Sequence, residues 1–72
     1  MTATQPIMTI NGQPQPYAPL TLSELLRRQG IDPQRPGIAV AVNAQVVSRS
    51  QWEQQTLQPG DRVEIVQAQA GG

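Results

Sequence analysis

The sequence predicts an α+β roll, a mixed sheet of four to five strands with one main helix across a face. Three observations carry that prediction. An Asn-Gly pair sits between two extended stretches near the start, one short leucine-rich segment has both helix ends marked, and β-rich runs occupy the second half. With 72 residues there is room for one domain, and so short a chain buries only roughly 60% of the surface it exposes when unfolded.

Residues 1–5 are small and polar and read as a loose N-terminus. In "PIMTINGQPQPY", Asn11-Gly12 is the strongest short-range hairpin signal. A two-residue turn there pairs Ile10 with Gln13 and Met8 with Gln15 at hydrogen-bonded sites. Pro14 and Pro16 then fall opposite Thr9 and Ile7 at non-bonded sites, so their missing N–H groups point outward and make the second strand an edge.

"LTLSELLRRQGI" marks a helix of about two turns. Thr21 suits the N-cap and Glu24, three residues on, completes a capping box, with Leu20 and Leu25 placed as a hydrophobic staple. Leu22, Leu25 and Leu26 form the apolar stripe, Arg27 and Arg28 favour the negative end of the helix dipole, and Gly30-Ile31 reads as a glycine C-cap with its apolar contact.

After the loop "DPQRPG", the run "GIAVAVN" places Ile38, Val40 and Val42 on one face and Ala39 and Ala41 on the other, which suits a strand covered on one side and lightly exposed on the other. "NAQVV" turns it back as a hairpin. "SRSQWEQQTL" has no clear period and reads as a loop with one helical turn; "PGD" is a turn, and "RVEIV" ends the sheet with Val63 and Ile65 on one face and Arg62, Glu64 and Val66 on the other. A right-handed crossover through the helix lays this last strand beside the first. Residues 1–66 thus make the domain and 67–72 a flexible tail.

Composition argues against many functions. The chain has no cysteine and no histidine, so it lacks a thiolate nucleophile, a Cys-based metal site and the commonest general base. Five arginines balance five acids, which gives no basic stripe for nucleic acid. Neither a signal peptide nor an apolar run long enough to span a bilayer is visible, so no membrane role and a cytoplasmic location are expected. An enzyme is not expected, nor any bound metal or cofactor.

The tail "QAQAGG" holds no large apolar side chain to repay its own ordering, and six residues extend roughly 20 Å. Gly71-Gly72 form the thinnest possible arm, since no Cβ blocks a narrow channel. A catalytic partner could reach the Gly72 carboxylate without meeting a side chain. The bland alternative is a frayed end, because glycine makes up about 7% of residues in any case.

The blocks "INGQ", "LTLSELL", "GIAVAVNAQVVSRSQW", "LQPGDRVEIV" and the final "AGG" resemble, in order and spacing, the ThiS family of sulfur carriers in thiamin biosynthesis, a ubiquitin-like β-grasp family. The resemblance runs from about Ile7 to Gly72. Ser48 departs from it, standing where the family usually has proline. The resemblance implies that Gly72 is the residue carrying the adenylate and then the thiocarboxylate, with Gly71 and Ala70 recognised as the tail. It implies a ThiF-type adenylating enzyme that uses ATP and Mg²⁺, a persulfide or similar sulfur donor, and a thiazole synthase of the ThiG type as acceptor.

Ile7, Val46 and Val66 are candidates for an apolar docking patch on the exposed side of the sheet, and Arg49 and Trp52 for partner contacts, although a lone Trp in a small domain is more often a packing residue. The absence of lysine removes side-chain amines that could trap an activated C-terminus, though a plain compositional preference for arginine explains it as well. Three alternatives share the same features: the small subunit of molybdopterin synthase or a carrier for tRNA thiolation or cysteine synthesis, a ubiquitin-like protein modifier, and a plain interaction module.

Overall fold

The computed structural model describes residues 5–68. The elements run β1 (Ile7–Ile10), β2 (Gln13–Pro16), α1 (Leu22–Arg28), β3 (Ile38–Val42), β4 (Gln45–Val47), a 3-10 turn (Arg49–Gln51) and β5 (Arg62–Gln67). All five strands join one sheet in the order β2-β1-β5-β3-β4, with β5 parallel to β1 and antiparallel to β3. This is the β-grasp arrangement, and it puts the last strand in the centre of the sheet.

Both hairpins follow from their turn residues. Asn11 (φ 51°) and Gly12 (φ 81°) occupy the left-handed region together, as a type I′ turn requires. The register pairs Ile10 with Gln13 and Thr9 with Pro14, so both prolines sit on an outer strand where no donor is missed. Asn43 (φ 51°) and Ala44 (φ 68°) make the equivalent turn between β3 and β4, with alanine in a place that usually falls to glycine.

Helix α1 has the capping box its sequence predicts: the Glu24 N–H donates to Thr21 Oγ1 (3.2 Å) and the Thr21 N–H donates to Glu24 Oε1 (2.9 Å). At the other end Ile31 N–H bonds Leu26 O and Gly30 N–H bonds Arg27 O, the paired bonds of a Schellman motif, with Gly30 at φ +79°. The first-turn amides that helices leave unpaired are met from a distance, since Leu22 N–H bonds Gln55 O and Ser23 N–H bonds Trp52 O. The aperiodic segment after β4 is therefore a clasp for the helix start. It is secured again where Leu57 N–H bonds Leu20 O.

The core lies between α1 and one sheet face. Met8, Ile10, Ile38, Val40, Val42, Val63 and Ile65 come from the strands, Leu22, Leu25 and Leu26 from the helix, and Trp52 and Leu57 from the clasp. Tyr17, Leu20, Ile31 and Val47 seal its rim, and Tyr17 Oη donates to Leu57 O at 2.8 Å. Among the described residues no buried side-chain polar atom lacks a partner. The last strand runs one residue further than the sequence suggests: Gln67 still pairs with Ile38, and Ala68 N–H bonds Gly37 O at 2.7 Å.

Candidate functional site

The strand leading to the C-terminal glycines is held on both flanks. On one side β3 pairs with β5 from Val63 to Gln67; on the other, β1 ends at Ile10, and the Asn11 side chain continues its ladder. Ile65 N–H donates to Asn11 Oδ1 (2.8 Å), and Asn11 Nδ2 donates to Ile65 O (3.3 Å). Asn43 does the corresponding work where β5 starts, accepting from Arg62 N–H through Oδ1 (3.0 Å) and donating through Nδ2 to Asp61 Oδ1 (3.0 Å). Asp61 also accepts from Gln58 N–H, which closes the turn before β5. Each asparagine both turns a hairpin and grips the central strand.

The last described contact of the strand is with Gly37. This residue has φ +83°, and a Cβ built on it would lie 3.2 Å from the Ala68 Cβ. Glycine is thus favoured twice, by its backbone angle and by the closeness of Ala68. Ala70, Gly71 and Gly72 lie outside the described residues.

Beside this exit, the sheet face away from α1 carries Val66 and Val46, exposed by 63% and 81%. Val66 is paired with Ala39 and Val46 with Ala41, and Ala41 is paired in turn with Glu64, so small residues on β3 separate two exposed valines. They line a shallow apolar depression bordered by the Glu64 side chain. Ile7 is also exposed, at 48%, but it does not join them. In the parallel pairing Thr9 lies beside Arg62, which puts Ile7 at the opposite end of the sheet from Val66, against Pro14 and Pro16. The expected three-residue patch therefore divides into a Val46–Val66 patch near the exit and a separate Ile7 surface.

Arg49 and Trp52 take structural positions. Trp52 is 2% exposed and donates through Nε1 to Val47 O at 2.9 Å, so it has no face to offer a partner. The Arg49 guanidinium donates to the carbonyls of Pro33 and Arg35 and lies 4.6 Å from the Trp52 ring centroid, tying the loop after α1 to the clasp. Asn11, Asn43 and Gly37 are the positions that sequence reading did not single out for the site. The first two were visible only as turn residues, and Gly37 only as the end of a loop.

Among the described residues one ionisable group is clearly shifted, and it belongs to the helix cap. The Glu24 carboxyl is held below its usual range, first by the Thr21 backbone N–H, then by the Thr21 hydroxyl and by Arg27. No group of three or more His, Cys, Asp or Glu among the described residues is placed to hold a metal ion, and no described helix is long and apolar enough to cross a membrane. The geometry offers a firmly held central strand and an apolar face next to its last described residues.

Comparison with known proteins agrees with this geometry. The model of the ThiS family matches residues 8–72. The sulfur carrier protein ThiS of Escherichia coli (strain K12) is 42% identical over 52 residues, which is 72% of this chain and 76% of that protein. The crystal structure of the thiamine biosynthesis protein ThiS from Geobacter metallireducens superposes with a TM-score of 0.74 at 29% identity, covering 92% of this chain and 99% of that one. A solution NMR structure of a thiamine biosynthesis protein from the same organism gives a TM-score of 0.73 at 29% identity, covering 92% and 87%. The chain belongs to the ThiS family and is a sulfur carrier of thiamin biosynthesis, a protein that is acted upon rather than a catalyst.

Proposed function

We propose that the chain carries sulfur as a thiocarboxylate on Gly72, made by an adenylating enzyme of the ThiF type and delivered to a thiazole synthase of the ThiG type. The observation that carries this reading is the placement of β5: the central strand, paired on both sides, leads toward Gly71-Gly72 beside an apolar face. The chain has no cysteine, so carried sulfur has no thiol to occupy, which supports a place for it on a carboxyl carbon.

The chemistry balances in three steps. A Gly72 carboxylate oxygen attacks the α-phosphorus of ATP, the bond to pyrophosphate breaks, and Mg²⁺ on the enzyme offsets the phosphate charge. The terminal sulfur of a persulfide then attacks the acyl carbon, expelling AMP and leaving an acyl disulfide. A thiol reduces that disulfide, which leaves the thiocarboxylate on Gly72 and the thiol's sulfur in a new disulfide with the donor. The Val46–Val66 face gives both enzymes an apolar handle beside the arm.

The test is mass spectrometry of the C-terminal peptide after incubation with the adenylating enzyme, ATP, Mg²⁺ and a persulfide donor, beside a copy lacking Gly72. Sulfur located on Gly72 and absent from the shortened copy is expected. Peptide-level localisation matters because methionine oxidation produces nearly the same mass change as exchange of oxygen for sulfur. A stable adduct to a lysine of another protein would instead make the chain a modifier.

A further inference from the structure

We propose that Gly37 is a positioning residue for sulfur transfer: it fixes the point and direction from which the reactive arm leaves the sheet. This rests on the carrier reading above. Pairing between β3 and β5 ends at Ile38 and Gln67, and one more bond follows, from Ala68 N–H to Gly37 O at 2.7 Å. Gly37 aims that carbonyl from φ +83°, and the approach leaves only 3.2 Å between a built Cβ and the Ala68 Cβ. An L-side chain here must either push Ala68 aside or rotate the backbone out of the left-handed region, and rotation swings the carbonyl off its donor. Either movement displaces the base of the arm.

The consequence is geometric. With Ala68 fixed, four residues remain to reach the activating enzyme, spanning at most about 14 Å. Docking and delivery then depend on different parts of the carrier: the Val46–Val66 face governs binding, and the Gly37–Ala68 contact governs where the carboxylate arrives. Losing the contact lowers turnover without weakening docking. Misplacement of a reacting group by about 1 Å costs up to roughly a hundred-fold in rate, so a loss of about ten-fold is expected from a shift of part of that size.

Four full-length chains test this: wild type, Gly37→Ala, a synthetic chain carrying D-alanine at position 37, and Ala68→Pro. D-alanine accepts a positive φ and does not put its methyl at the L-Cβ position that lies 3.2 Å from the Ala68 Cβ. Ala68→Pro removes the donor at an exposed position and leaves residue 37 a glycine and the core unchanged. The proline Cδ, standing where the N–H met Gly37 O at 2.7 Å, pushes the base of the arm off that carbonyl. Steady-state adenylation should show kcat about ten-fold lower with KM unchanged for Gly37→Ala and Ala68→Pro, and near wild type for the D-alanine chain. Amide exchange at Ala68, read without any enzyme, should quicken about ten-fold in Gly37→Ala and return with D-alanine.

If Gly37→Ala does not fold, Ala68→Pro decides. Wild-type kcat in a folded Gly37→Ala or in Ala68→Pro overturns the role, as does a D-alanine chain as slow as the L-alanine one, or a loss that appears in KM alone. A wild-type chain left unmodified by an enzyme active on another carrier overturns the carrier reading itself, and this role with it. The Ala68 exchange rates still judge the anchor on its own.

Discussion

Replacing Asn11 tests how firmly the strand leading to the C-terminal glycines is held. Its side chain exchanges two hydrogen bonds with Ile65, 54 residues away, at 2.8 and 3.3 Å, on a strand residue that is itself buried. In Asn11→Ala the Ile65 N–H loses its partner on that flank, which costs about 1–3 kcal/mol. Alanine must also hold φ 51°, where it is worse than asparagine by about 1 kcal/mol. The sum, about 2–4 kcal/mol, is a large part of the roughly 4–11 kcal/mol that 72 residues provide. Asn11→Gly loses the bonds but accepts the angle, so it should lie about 1 kcal/mol above the alanine variant. Chemical denaturation gives these differences, and at about 4–8 °C per kcal/mol thermal unfolding should fall by more than 8 °C in Asn11→Ala. Amide exchange should quicken first at Ile65. If both variants stay within about 0.5 kcal/mol of wild type, the side-chain rung contributes nothing and the account of β5 is wrong.

Four further outcomes are expected. Because the Glu24 carboxyl is depressed in the fold, its contribution is present above the usual carboxylate range and is lost as pH falls through the lowered value. Glu24→Gln keeps a capping-box side chain but cannot titrate, so denaturation midpoints followed between neutral and acid pH should fall less steeply than in wild type. Ser48 has φ −68° at the end of β4, and its N–H makes no backbone bond among the described residues, so Ser48→Pro should raise stability by about 0.4–1 kcal/mol, read as a higher urea midpoint. Ala44→Gly relieves φ 68° at an exposed turn and should stabilise by up to about 1 kcal/mol, the left-handed cost less the entropy glycine adds to the unfolded chain; a lower midpoint would contradict this. Val46→Asp combined with Val66→Asp should raise KM for the adenylating enzyme at least about ten-fold with little change in melting temperature, whereas Ile7→Asp should leave KM alone.

The elements that could be read from the sequence are those whose reasons are local. Thr21 with Glu24, Gly30 with Ile31, and Asn11 with Gly12 each lie within a few residues, and each forms the cap or turn its chemistry dictates. The alternation of Ile38, Val40 and Val42 with Ala39 and Ala41 likewise gave β3 two unlike faces, and the fold buries the one with the larger residues. Ile7, Val46 and Val66 were candidates for the exposed side, but the nearness of the two valines came from the pairings of β3 with β4 and β5, and the distance of Ile7 from the register of β1 against β5. No local pattern encodes that register. The clasp after β4 showed no period because its order comes from Leu22, Ser23 and Leu57 bonding across the fold.

Gly37 shows why that non-local part bears on function. In sequence it is a glycine after a proline, which reads as the end of a loop. In the fold it meets the strand that leads to the C-terminal glycines at the last described rung. On the proposed function, the carrier is held as far as the base of its arm, and both enzymes would meet the Val46–Val66 face and the arm in the same relation. The central position of β5 fixes that relation from both sides: Asn11 and Asn43 grip the strand, while Val66 on β5 itself contributes to the face. Because Val66 lies on β5 and Ala68 follows directly after it, part of the proposed docking face and the base of the arm are set by the same backbone.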